Sequence, residues 1–133
     1  MPITELLERN AKEFADDVAL VEINPEIQEK KRVTWREYEL IQPDLRQQYR
    51  REITWHVFNE KANRVANLLI SRGVRKGDKV AILSANMPNW GITQFAIANI
   101  GAIAVPVLPG FCSTELQNIL EHAEVKVIFV SRL

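Results

Sequence analysis

Between Gly73 and Val130 short apolar runs alternate with stretches of helical period, and no other feature of this 133-residue sequence restricts its fold as tightly. Val80 to Leu83 is a continuous apolar run, as expected of a strand covered on both faces. Pro88 suits the first turn of a helix that runs to Gly101, where a missing N–H costs nothing. Ile103 to Val107 reads as the next strand. Ser113 or Thr114 predicts the cap of a second helix, with Gln117 completing a box on Thr114 and Leu116, Ile119, Leu120 and Ala123 forming one apolar face. Val125 to Val130 is the third strand. Strand, helix, strand, helix, strand with short connections implies right-handed crossovers and a parallel sheet. The expected fold class is therefore α/β, a three-layer-like βαβαβ core.

The segment before Gly73 extends that core. Thr4 predicts the cap of a first helix, in which Leu7, Ala11 and Phe14 recur at helical spacing. Asp16-Asp17 ends it, Val18 to Val21 is a short strand, and Asn24-Pro25 turns the chain. Two later stretches look alike, Val33-Thr34-Trp35-Arg36-Glu37-Tyr38 and Ile53-Thr54-Trp55-His56-Val57-Phe58. The first carries a capping box, Thr34 with Glu37. The second leads into a long amphipathic helix with Phe58, Ala62, Val65 and Leu69 on one face. Gly73 suits the left-handed position that ends this helix, and Lys76-Gly77-Asp78 makes the next turn.

Composition excludes several function classes. Seventeen basic and seventeen acidic residues leave no net charge, which argues against a general nucleic-acid or anionic-membrane binder. No apolar run approaches the length needed to span a bilayer, and the amphipathic N-terminus has no signal-peptide core. The single cysteine rules out an internal disulfide and suits a reducing cytosol, so a cytoplasmic location is expected.

Candidate chemistry is sparse. The five glycines, Gly73, Gly77, Gly91, Gly101 and Gly110, are isolated from one another and make no phosphate-cradling loop. His56 and His122 lack companions at metal-ligand spacing and read as surface or capping residues. Cys112 shows no adjacent base and reads as a small loop residue. The turn Ser84 to Trp90 follows a parallel strand, where open α/β sheets bind ligands, but it has no glycine and Pro88 removes a donor. It reads as structural.

The pieces Ile53-Thr54-Trp55, Leu68-Leu69, Gly73-Val74, Lys76 to Ile82, Asn86 to Trp90, Gly101-Ala102, Val105-Pro106, Thr114-Glu115-Leu116 and Val127 to Val130 stand in a specific order and spacing. Together they resemble the N-terminal region of AMP-forming acyl-CoA synthetases, members of the adenylate-forming ligase superfamily, and most of all the long-chain fatty-acid group. The resemblance implies a parent enzyme that uses ATP and Mg²⁺ to activate a fatty acid or other carboxylate as the acyl-adenylate. It then transfers the acyl group to CoA, with AMP and pyrophosphate as by-products. Relatives that adenylate amino acids, aryl acids or luciferin share much of this region. In the family the Asn of the Asn86 to Trp90 segment caps and its Trp packs. The loop around Gly110 and Phe111 corresponds to one near the groove where CoA enters, so these two residues are candidates for its wall. The family pattern falls on the second Thr-Trp stretch, so residues 24–52 read as a charged insertion in a single α/β domain.

The family's T-S-G-T-T-G-x-P-K type loop is absent from the chain. Its acid-bearing nucleotide motif and its mobile-domain lysine would lie beyond position 133. These absences lead to the expectation of a truncated front piece, ending abruptly at Ser131-Arg132-Leu133, inactive alone and partnered by the remainder of the ligase. The parent would be cytoplasmic, with peripheral membrane contact open to it. Uncovered sheet surface and an unpaired edge strand, at Val18 to Val21 or Val127 to Val130, predict self-association. A short non-catalytic α/β binding or interaction module is the rival reading.

Overall fold

A computed structural model of the chain describes residues 2–23 and 50–131. The order is α1 (Ile3–Glu13), β1 (Val18–Ile23), β2 (Arg50–Thr54), α2 (Trp55–Ser71), β3 (Lys79–Leu83), α3 (Pro88–Asn99), β4 (Ile103–Val107), α4 (Ser113–Ala123) and β5 (Val127–Val130). The last three strands form the expected parallel sheet, in the order β4-β3-β5. Placing β3 in the middle follows from its sequence. Val80, Ala81 and Ile82 are all buried, which only a strand covered on both faces achieves.

The first crossover runs from β3 out to β4 and the second returns from β4 past β3 to β5, so right-handed connections in opposite directions place α3 and α4 on opposite faces. One face is tightly packed. Val80 and Ile82 form a core with Leu69 and Val74 from the α2 end and Ile97 of α3. On α4 the half-buried positions are Leu116, Ile119, Leu120 and Ala123, the face read from the sequence, but none is fully buried. That second layer is thinner, and Ile103, Ile128 and Val130 stay 49%, 36% and 61% exposed.

A second core joins the N-terminal part to α3. Leu7 of α1, Ile53 of β2, Phe58 and Ala62 of α2, and Ile92 of α3 are buried together. Phe58 stacks beside Trp55 at 6.0 Å and meets Phe95 edge-on at 5.3 Å. Strand β1 pairs antiparallel with β2, from Val18 opposite Thr54 to Ile23 opposite Arg50. Strand β2 is a finding beyond the sequence reading, and its first residues fall within the stretch taken as an insertion. The rest of that stretch, with Asn24-Pro25 and the Thr34–Glu37 capping box, lies outside the described residues.

The helix ends obey local chemistry, with three corrections. Helix α1 starts at Ile3 with Pro2 as its cap, so Thr4 sits inside the first turn and makes no cap. In α2 the Thr54 hydroxyl accepts from the Val57 N–H at 3.3 Å, and Gly73 follows the C-terminus at φ +83°. Helix α4 is capped by Cys112 rather than by Ser113 or Thr114. The Glu115 carboxylate accepts from the Cys112 N–H at 2.9 Å, so Glu115 and not Gln117 closes the box. The N-cap of α3 is Met87, without a side-chain bond, and Asn86 is exposed and caps nothing.

At the amino end of the sheet, one knot ties three turns together. The Lys126 ammonium donates to Gly73 O at 2.7 Å and to the Asp78 carboxylate at 2.9 Å. The same carboxylate oxygen accepts from the Arg75 N–H at 2.7 Å. That backbone donor, with Lys126 second, holds the Asp78 carboxyl below its usual range.

Candidate functional site at the carboxyl edge of the sheet

Parallel strands end together, and the turns that leave them open a crevice at the carboxyl edge. Here two clefts lie side by side. One, of about 260 Å³, is lined by Ile82, Met87, Trp90 and Phe129, with Ser84 and Ser131 also in its lining. The other, also about 260 Å³, lies between the turn after β3 and the end of β4, lined by Ser84, Asn86, Trp90, Pro106, Leu108 and Pro109. Ser84 and Trp90 belong to both, so the indole forms part of the boundary between them. The sequence reading took the Ser84 to Trp90 turn as structural. Trp90 does pack against the sheet core, as that reading held, but the same turn also lines both clefts.

The Ser131 Oγ is buried and has no hydrogen-bond partner, an unusual state for a hydroxyl at a cleft. Its backbone N–H is committed to Leu83 O at 3.1 Å, which fixes the residue beside the end of β3. Phe129 and Ser131 were not singled out from sequence. The available signal was their position at the carboxyl end of the third parallel strand.

Gly110 and Phe111 fall on the loop between β4 and α4, next to the second cleft, whose lining runs through Leu108 and Pro109. Gly110 has open space around it, with no atom within 4 Å of where a Cβ would stand. Phe111 is 38% exposed and Leu108 66%, so the loop presents an apolar surface to solvent.

Neither helix N-terminus at this edge is free to hold a phosphate. In α3, Pro88 occupies the first turn and supplies no N–H. In α4, the Glu115 carboxylate already sits on the Cys112 N–H, placing a negative charge where an anion would go. Cys112 is exposed and serves as that helix cap. His56 and His122 are exposed, in the first turn of α2 and at the end of α4, and neither lines either cleft. Among the described residues no three His, Cys, Asp or Glu side chains gather as a metal site. The edge therefore offers apolar walls, a few hydroxyls and one aromatic divider. It does not offer a cradle for three phosphates.

The comparisons agree on what this chain is similar to. A family model described as AMP-binding enzyme matches residues 7–133. The crotonobetaine/carnitine–CoA ligase of Salmonella typhimurium is 38% identical over 81 residues, covering 61% of this chain and 16% of that protein. The solved anthranilate CoA ligase AuaEII, in complex with anthranoyl-AMP, is 28% identical with a TM-score of 0.74, covering 98% of this chain and 20% of that one. The fatty acyl CoA synthetase of Mycobacterium tuberculosis is 33% identical with a TM-score of 0.57, over 59% of this chain and 16% of that one. The chain thus spans about a sixth to a fifth of the length of these proteins. Among the described residues no helix is long and apolar enough to cross a membrane.

Proposed function

This chain belongs to the AMP-binding enzyme family, and we propose that it forms the N-terminal part of an AMP-forming long-chain fatty-acid–CoA ligase. The observation that carries the reading is the family match along residues 7–133, supported by the βαβαβ core. The reaction joins a carboxylate oxygen to the α-phosphorus of ATP, with pyrophosphate leaving. The CoA sulfur then attacks the acyl carbon and AMP leaves. Both steps build charge on phosphate oxygens, which calls for fixed donors and cations.

The residues here do not fit that task, because both helix N-termini at the carboxyl edge are closed to anions. Their contribution is shape. Ile82, Met87, Trp90 and Phe129 make an apolar wall suited to an acyl or aryl carbon skeleton, with Ser84 and Ser131 able to bond a polar end. The loop at Gly110 and Phe111 would stand beside CoA, the open backbone of Gly110 allowing close approach and the Phe111 ring packing on an adenine or pantetheine face. A fatty acid is favoured among carboxylates by the apolar lining. ATP, Mg²⁺ and CoA belong to the whole ligase, in the cytoplasm.

On this reading the 133-residue chain alone catalyses no ATP–pyrophosphate exchange with palmitate, anthranilate or crotonobetaine. The chain fused to the remaining domains of the fatty acyl CoA synthetase should exchange, and prefer the fatty acid over the other two. Exchange by the repurified chain above a protein-free blank would overturn the assignment of the phosphate chemistry to other residues. A fusion that exchanges but prefers anthranilate would overturn the fatty-acid assignment. A fusion that folds with no activity would favour the non-catalytic module.

A further inference from the structure

We draw no further inference here: the strongest candidate, the polar groove of about 490 Å³ between α1 and α2 whose lining includes Glu5, Glu8, Lys12, His56, Asn59 and Asn99, carries nothing, because Glu8 and Lys12 satisfy each other at 2.7 Å, the unpartnered Asn99 Oδ1 is itself buried, and nothing in the structure shows what the groove would hold.

Discussion

Replacing Phe58 by alanine tests whether the packing around α2 holds the carboxyl edge in place. Phe58 is 3% exposed and sits where α1, β2, α2 and α3 converge. Its ring contacts Trp55 and Phe95, and its Cζ lies 3.9 Å from where a Cβ on Gly91 would stand. Truncation removes the buried ring and leaves a cavity that four separate elements would have to move to fill, so the loss should be about 3–5 kcal/mol. A domain of this size has total stability of roughly 5–15 kcal/mol, so the variant stays folded but loses a large fraction. With a urea slope of about 2 kcal/mol/M, the midpoint should fall by about 2 M. The measurement belongs at low micromolar concentration, since association would add apparent stability. Gly91→Ala is the control of opposite sign. Its Cβ meets only an ordinary contact at 3.9 Å inside α3, and it should gain about 0.5–1 kcal/mol by removing a helical glycine. A Phe58→Ala loss below about 1.5 kcal/mol would refute the argument, because it would show the helices closing over the gap.

Two further perturbations probe the turns that register the sheet. Gly101 has φ +72°, and a Cβ there would stand 3.0 Å from Lys76 Cγ, so Gly101→Ala should cost about 1–3 kcal/mol in chemical denaturation. Asp78 has its folded pKa depressed, so its contribution is complete above its unfolded value and is lost as pH falls through the lower folded one. Urea midpoints taken from pH 6 down to pH 2 should therefore decline less steeply for Asp78→Asn than for the parent chain, and an identical acid limb would remove the Lys126–Asp78–Gly73 knot from the account.

What could be read from the sequence depended on how locally each feature is determined. Gly73 and Pro88 act within a few residues of themselves, and both stand where backbone sterics put them. The strands of the parallel sheet announced themselves as unbroken apolar runs, although only β3 is buried on both faces. Strand β2 did not, because Arg50, Arg51 and Glu52 precede its single buried apolar residue, Ile53, and its partner β1 is distant in sequence. The cap of α4 was misplaced by one or two residues for a related reason. Cys112, Ser113 and Thr114 all offer a side chain, and the selection depends on which N–H the Glu115 carboxylate reaches. The loop at Gly110 and Phe111 could be assigned to the carboxyl edge from strand order alone. The role of Trp90 as a shared wall could not, since it requires knowing that the ends of β3, β4 and β5 come together.

On the function proposed above, the two helix starts at that edge bear on which residues can meet the phosphates. An α/β protein that binds phosphate usually leaves a helix N-terminus bare, with glycine before it, so that N–H groups and the helix dipole face the anion. In this chain one start is closed by Pro88 and the other by the Glu115 carboxylate. Reopening the second is a direct check. Glu115→Gln keeps the side chain's reach and its carbonyl acceptor while removing the charge. If Glu115 acts as an internal anion, the variant should bind inorganic phosphate or sulfate more strongly than the parent chain does, with the gain fading as salt rises. Isothermal calorimetry with sulfate at low ionic strength reads this directly. Equal, undetectable binding by both proteins would mean that the loop geometry at Gly110 to Cys112, and not the carboxylate, keeps anions away.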